Sequence, residues 1–344
     1  MKLAFGRGLA VLLLGRLFRL LPLWTVAFVV LGLPRVRAQP SLQLLQTVAL
    51  EGVEGRFDHL SADVKGERLF VAALGNNSVE VIDLKAGKRI QTLRGVQKPA
   101  GVLYVADTDR LYVASGGDNS LKIFNGASYE LLKSLTGLDD ADNIRYDAKG
   151  GLVYVGYGKG ALAIVDPAQA TKIGDIAMRG HPESFQLQTQ GKFIFVNVPN
   201  ARQVALIDRA RRGQVGGWSM RAFPGNFPMA LDESNHRLLV GCHEPPVLVV
   251  LNSESGTLIG DVPISGDTDD LFYDASRKRI YISCGQGFVD VIQQRSPDRY
   301  EHLEKIPTAA GARTSYFIRE LKKFAVAVPH KEAQKAEIRI YEPK

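Results

Sequence analysis

Asp58, Asp142, Glu183 and Asp269 stand twelve residues ahead of Phe70, Tyr154, Phe195 and Tyr281, and Arg313 stands twelve ahead of Ala325. Ala100 and Phe227 hold the same place ahead of Tyr112 and Leu239. His59, Asn143 and Asp270 directly follow three of these acids, while His181 and Asn226 precede Glu183 and Phe227. If the chain brings these positions together, the oxygens of Asp142, Asn143, Glu183 and Asp269 suit calcium, magnesium or manganese. An imidazole from His59 or His181 shifts that choice toward zinc. The metal candidates are therefore Asp142, Glu183, Asp269 and His59, and no other cofactor is expected. Without a metal, the same carboxylates favour a cation or a ligand rich in hydrogen-bond donors. Arg313 can pair with Asp269 or Asp58 and neutralise part of the charge, and Phe227 adds an apolar wall.

Other chemistries lack their residues. There is no GxSxG elbow, no CxxCH haem attachment, no CxxC pair and no HExxH. Gly156, Gly158 and Gly160 alternate in a predicted hairpin and open no helix, so they form no dinucleotide loop. Arg209, Arg211 and Arg212 are expected at a solvated hairpin tip.

What positions the candidate residues is a repeat. RLFVA (68–72), RLYVA (110–114), LVYVG (152–156), FIFVN (193–197), RLLVG (237–241), RIYIS (279–283) and KFAVA (323–327) recur at spacings of 42, 42, 41, 44, 42 and 44. Each is followed by a second alternating string, such as VEVID, LAIVD or IRIYE. A short strand such as NIRYD or DLFYD precedes each, and a further strand such as RIQTL or KIGDI usually trails it. Period-two alternation bounded by Gly, Asn, Asp and Pro marks strands. Four antiparallel strands per period of about 42 residues is the pattern of a propeller blade. The last period ends on its third strand, Ile338–Tyr341, and Leu42–Leu50 reads as the missing fourth. The expected fold is all-β: a seven-bladed β-propeller over residues 39–344, closed by an N-terminal strand that completes the last blade and leaves no open sheet edge there. In that fold the candidate residues face one end of a central channel. His243 and His330 fall in hairpins on the same face, so four of the six histidines are expected there. Asp83, Asn125, Asp166, Asp208 and Asn252 recur at the end of the third strand, where a side-chain oxygen caps the turn that follows.

With RLYVA, LVYVG and RIYIS each trailed by a VxVID-like strand, residues 41–344 resemble the YVTN-repeat β-propellers of bacteria, and within them the YncE-like family of exported propellers. GHPESFQL (180–187), NFPMALDE (226–233), GDTDDLFYD (266–274) and GARTS (311–315) are similar to a branch that supplies no established activity to carry over. Blade 7 departs most, with KKFAVAVPH in place of a YVTN string.

The first residues read as an address. Leu20–Leu33 is fourteen residues without a charge, preceded by scattered basic residues and followed by Val36-Arg37-Ala38. That run is short for a membrane span and suits a signal peptide, residues 1–38, cleaved after Ala38. The mature protein is then expected in the periplasm or the medium, with no membrane attachment, as a monomer. The formal net charge of +7 does not signal nucleic acid. Lys2, Arg7, Arg16, Arg19, Arg35 and Arg37 lie in residues 1–38, which hold no acid, so the remainder carries +1 and lacks the excess needed to neutralise phosphates. Cys242 and Cys284 occupy equivalent places on neighbouring repeats and are expected as free, buried thiols.

Three functions fit. The first is an exported propeller that binds a small molecule or a protein at its channel mouth, and it leads because no complete catalytic set can be assembled. The second is a metal-dependent hydrolase of a lactone or similar ester, by analogy with lactonase propellers. The third is an accessory subunit of a periplasmic redox enzyme.

Overall fold

The computed structural model describes residues 39–344, so the expected signal peptide lies outside the described residues. Seven four-stranded antiparallel sheets follow one another. Their first strands are Leu60–Asp63, Pro99–Val105, Ile144–Asp147, Phe185–Leu187, Asn226–Asp232, Thr268–Asp274 and Thr314–Ile318, defining blades 1 to 7. All seven line one central channel of about 220 Å³. The repeated strings form the second strands, from Arg68–Ala73 in blade 1 to Lys323–Val328 in blade 7. Helical structure among the described residues is limited to short 3-10 turns, such as Leu74–Asn76. No described helix is long and apolar enough to cross a membrane.

Strand alternation gives each inner strand two apolar faces, and blades bury them against one another. Phe70, Val79 and Val81 of blade 1 pack on Val102, Leu111 and Val113 of blade 2, and the same packing joins blade 7 to blade 1 through Ala325, Ile338, Leu69 and Val71. The ring closes as expected. Leu42–Ala49 pairs antiparallel with Glu337–Pro343, from Leu42 against Pro343 to Ala49 against Glu337. Cys242 and Cys284 are free and buried.

Two recurring side chains fasten the blades. The third-strand caps form as expected: Asn125 Oδ1 accepts from Ala127 N and Ser128 N, and Asp166 Oδ1 from Ala168 N and Gln169 N. The arginine that opens several of the strings reaches the following blade. Arg68 donates to Gly126 O at 2.6 Å, Arg110 to Pro167 O, and Arg237 to Pro297 O at 3.0 Å and to Asp298. Arg279 reaches Lys344 O. Arg209 corrects the solvated-tip expectation. Its guanidinium donates to Asp147 Oδ2 at 3.0 Å and to Gln188 O at 2.8 Å, tying blade 4 to blade 3, because the turn points it back across the blade boundary. Arg211 and Arg212 remain exposed.

Candidate functional site

The backbone at the channel mouth is held by a repeated hydrogen-bond pair. Asp58 N donates to Ala72 O and Ala72 N to His59 O; Asp142 N to Gly156 O and Gly156 N to Asn143 O; Glu183 N to Asn197 O and Asn197 N to Ser184 O. Each bond lies between 2.8 and 3.1 Å. The sheet ladder thus extends beyond the first strand in these three blades and fixes Asp58, Asp142 and Glu183. Gly101 completes the fit between blades 2 and 3, because a Cβ there would stand 2.1 Å from Asp142 O.

Eight of the predicted residues, Asp58, His59, Asp142, His181, Glu183, Phe227, Asp269 and Arg313, line a cup of about 780 Å³. Asp270 stands behind His59, and Asn143 stands beside its Nε2. Asp270 Oδ1 lies 3.1 Å from His59 Nδ1, and its Oδ2 accepts from Ser315 N at 2.9 Å. Asn143 Nδ2 lies 2.8 Å from His59 Nε2, while its Oδ1 has no partner. Asn226 is not at the mouth. It is fully buried and donates to Asn197 Oδ1 at 2.9 Å and Gln203 O at 3.0 Å, a bridge between blades 4 and 5. Three of the four expected histidines reach the cup. His330 instead pairs with Glu54 at 2.7 Å beside a separate cleft, because its hairpin continues outward past Pro329.

The charges interlock around Asp142. Its Oδ1 is 3.9 Å from His59 Nε2 and its Oδ2 is 3.8 Å from His181 Nε2. His181 Nδ1 donates to Gly158 O at 2.7 Å, which turns Nε2 toward Asp142. Asp58 Oδ1 is 3.7 Å from His59 Nε2. Arg313 bonds Asp267 at 2.8 Å and Asp269 at 3.2 Å, and Asp58 is paired instead with Arg56 at 3.3 Å. Phe227 stacks on His243 with ring centroids 4.4 Å apart.

Burial works against a charged His59, but Asp270, then Asp58 and Asp142, overcome it and hold the ring up at about 10. His181 is raised to about 9, burial again opposing and the Asp142 and Gly158 contacts prevailing. Glu183 is raised to about 7, by burial and then by the nearby Asp142 charge. Burial also lifts Asp58, and lifts Asp269 despite Arg313. Asp142 alone is lowered: burial opposes, but His181 and His59 win. More carboxylates are gathered than the local cations can satisfy.

Arg56, Lys98 and Asp140 also line the cup and were not singled out from sequence. Arg56 lies two residues before Asp58, a spacing that could have flagged it. Asp140 and Lys98 lie two residues before Asp142 and Ala100, so the same offset would have found all three.

The described residues contain two sets able to hold a metal ion, Asp58–His59–Asp142 and Asp142–His181–Glu183. Asp269 belongs to neither and pairs with Arg313 at 3.2 Å.

No family model matches the chain, and no curated protein does. Among solved structures it is similar to a chain of Kuenenia stuttgartiensis hydrazine synthase, at 15% identity and TM-score 0.72 over 84% of this chain and 98% of that one. It is also similar to a chain of the mitotic checkpoint complex, at 13% identity and TM-score 0.75 over 89% and 94%. At such identities the likeness is one of fold, and the β-propeller hosts unrelated functions.

Proposed function

We propose that the protein is an exported binding propeller whose acidic cup captures a cation. One observation carries the reading. The cup lines up six carboxylates, Asp58, Asp140, Asp142, Glu183, Asp267 and Asp269, against three permanent cations, Arg56, Lys98 and Arg313. Concave, partly desolvated sites of one sign concentrate the opposite charge. The strings RLYVA, LVYVG and RIYIS support kinship with the exported YVTN-repeat propellers, and Leu20–Leu33 with the VRA step supports export and cleavage after Ala38. One neighbour is a chain of the mitotic checkpoint complex, but the buried ionisable groups favour a small ligand over a flat protein contact.

The test is ligand-observed NMR on the mature protein with spermidine and with citrate. Saturation transfer to spermidine, lost in Asp269→Asn at unchanged melting temperature, is expected. Transfer to citrate alone would overturn the reading. A metal-dependent hydrolase is the second reading, favoured by the way Asp142 is shared between two imidazoles; turnover of a lactone only with added metal would support it.

A further inference from the structure

The two histidines of the cup are prepared in the same way. In each, Nδ1 is committed to a partner behind the ring, Asp270 Oδ1 for His59 and Gly158 O for His181, and Nε2 is turned toward Asp142; at His59 the Asn143 amide is the nearer neighbour of Nε2, at 2.8 Å, and has to yield to an ion. An imidazole whose far nitrogen is fixed by a carboxylate or a backbone carbonyl is the usual form of a metal-ligating histidine. The two rings address different oxygens of one carboxylate, Oδ1 for His59 and Oδ2 for His181. Asp58 joins His59 and Asp142 in one set and Glu183 joins His181 and Asp142 in the other, the donor atoms of each set within 4.8 Å of one another.

Two observations separate this arrangement from an ordinary acidic cluster. Asp142 Oδ1 has no solvent contact and no hydrogen-bond partner. Next to it Asn143, only 2% exposed, leaves its Oδ1 unpartnered as it stands against His59 Nε2. Buried polar atoms without partners are costly, and both of these belong to the group around His59 Nε2.

The geometry points to a pair of divalent cations at the floor of the cup, bridged by the Asp142 carboxylate, one held with Asp58 and His59 and the other with His181 and Glu183. This deepens the reading of the cup as a cation site and rests on it. With metal–ligand bonds of about 2.1 Å, two donors on a tetrahedral ion lie about 3.4 Å apart. The imidazole–carboxylate gaps of 3.7 to 3.9 Å close with movements of a few tenths of an ångström, and the remaining donor pairs, within 4.8 Å, need about 1 Å or somewhat more. One imidazole and two carboxylates per ion is a borderline donor set, suited to zinc or manganese more than to calcium. Two ions bring four positive charges to a cup with three carboxylates in excess of its permanent cations, so loading leaves it near neutrality.

Mature protein stripped with a chelator and titrated calorimetrically with Mn2+ should take up two ions per chain. The loaded protein should give the electron paramagnetic resonance spectrum of an exchange-coupled pair, which a shared carboxylate produces and two isolated sites do not. Asp142→Asn should lose the coupled spectrum and bind at least tenfold more weakly at both sites. His181→Gln, at a half-buried ring, should retain one uncoupled ion. Uptake of one ion or none by the wild type, or an unchanged coupled spectrum in Asp142→Asn, would overturn the proposal. If Asp142→Asn fails to fold, retention of two coupled ions by His181→Gln overturns it equally. Binding of spermidine without any uptake of Mn2+ would remove the metal pair and leave the cation-binding cup, whereas binding of neither removes both.

Discussion

Asp142 owes its position to a missing atom. Gly101, on the neighbouring blade, lets the Asp142 carbonyl approach to where a Cβ would stand. Gly101→Ala should push the strand entry outward and cost about 1–3 kcal/mol. Its affinity for cup ligands should fall further than that of an equally destabilised variant remote from the cup. Chemical denaturation combined with ligand titration checks this, and a loss of stability without a loss of affinity would contradict it. Cys242 is a second residue-scale case. Burial alone pushes its thiol up to about 12, so it should resist iodoacetamide at pH 8 in the folded protein and react once unfolded. Asp274 shows the opposite sign. Burial opposes its charge, but bonds from Ser276 and Arg277 hold its carboxyl below the ordinary value. A carboxylate lowered on folding contributes stability that is present above its unfolded value, near pH 4, and is lost as the pH falls through the folded one. Urea unfolding of Asp274→Asn should therefore show lower stability at pH 7 and a shallower loss between pH 4 and pH 2 than wild type.

At the scale of elements, the closing strand carries the clearest consequence. Leu42–Ala49 covers the third strand of blade 7, and Val48 and Leu50 sit in the core between blades 7 and 1. A chain beginning at Glu51 exposes that edge and part of the core. It should melt well below a chain of residues 39–344 or aggregate, and equal melting temperatures would contradict the closure. Asn125→Ala, which removes two bonds from one turn, should cost only about 1 kcal/mol. Most of this level was legible in the sequence, because period-two alternation and Asx caps are local signals that tertiary packing had no reason to override. Arg209 was misjudged for the opposite reason. Its partners Asp147 and Gln188 are distant in sequence, and a charge run reads as solvated when the neighbouring blade is out of view. Asn226 failed similarly, since adjacency to Phe227 suggested the mouth while the backbone turned its amide toward Asn197.

At the scale of the whole molecule, the ring converts a sequence period into a spatial cluster. Residues up to 257 positions apart, Arg56 and Arg313, line one cup because each blade delivers its strand entry to the same end of the channel. The twelve-residue offset located one lining residue in each blade. Which residues touch the cup and which stand behind it depends on side-chain direction, and so Asp270 and Asn143 proved to be supports for His59. The arginine contacts from one blade to the next should make the ring unfold as one unit. Arg68→Ala, which removes bonds to Asp63, Gly126 and Tyr129, should lower the melting temperature without splitting the transition. Two resolved calorimetric transitions would contradict a single cooperative ring. The central claim is that the mouth of this ring is a cation site. Anomalous diffraction from crystals of residues 39–344, soaked in turn with manganese and with bromide, tests it most directly. Manganese density among Asp58, Asp142 and Glu183 and no bromide in the cup is expected; bromide in the cup with no manganese would contradict a cation site.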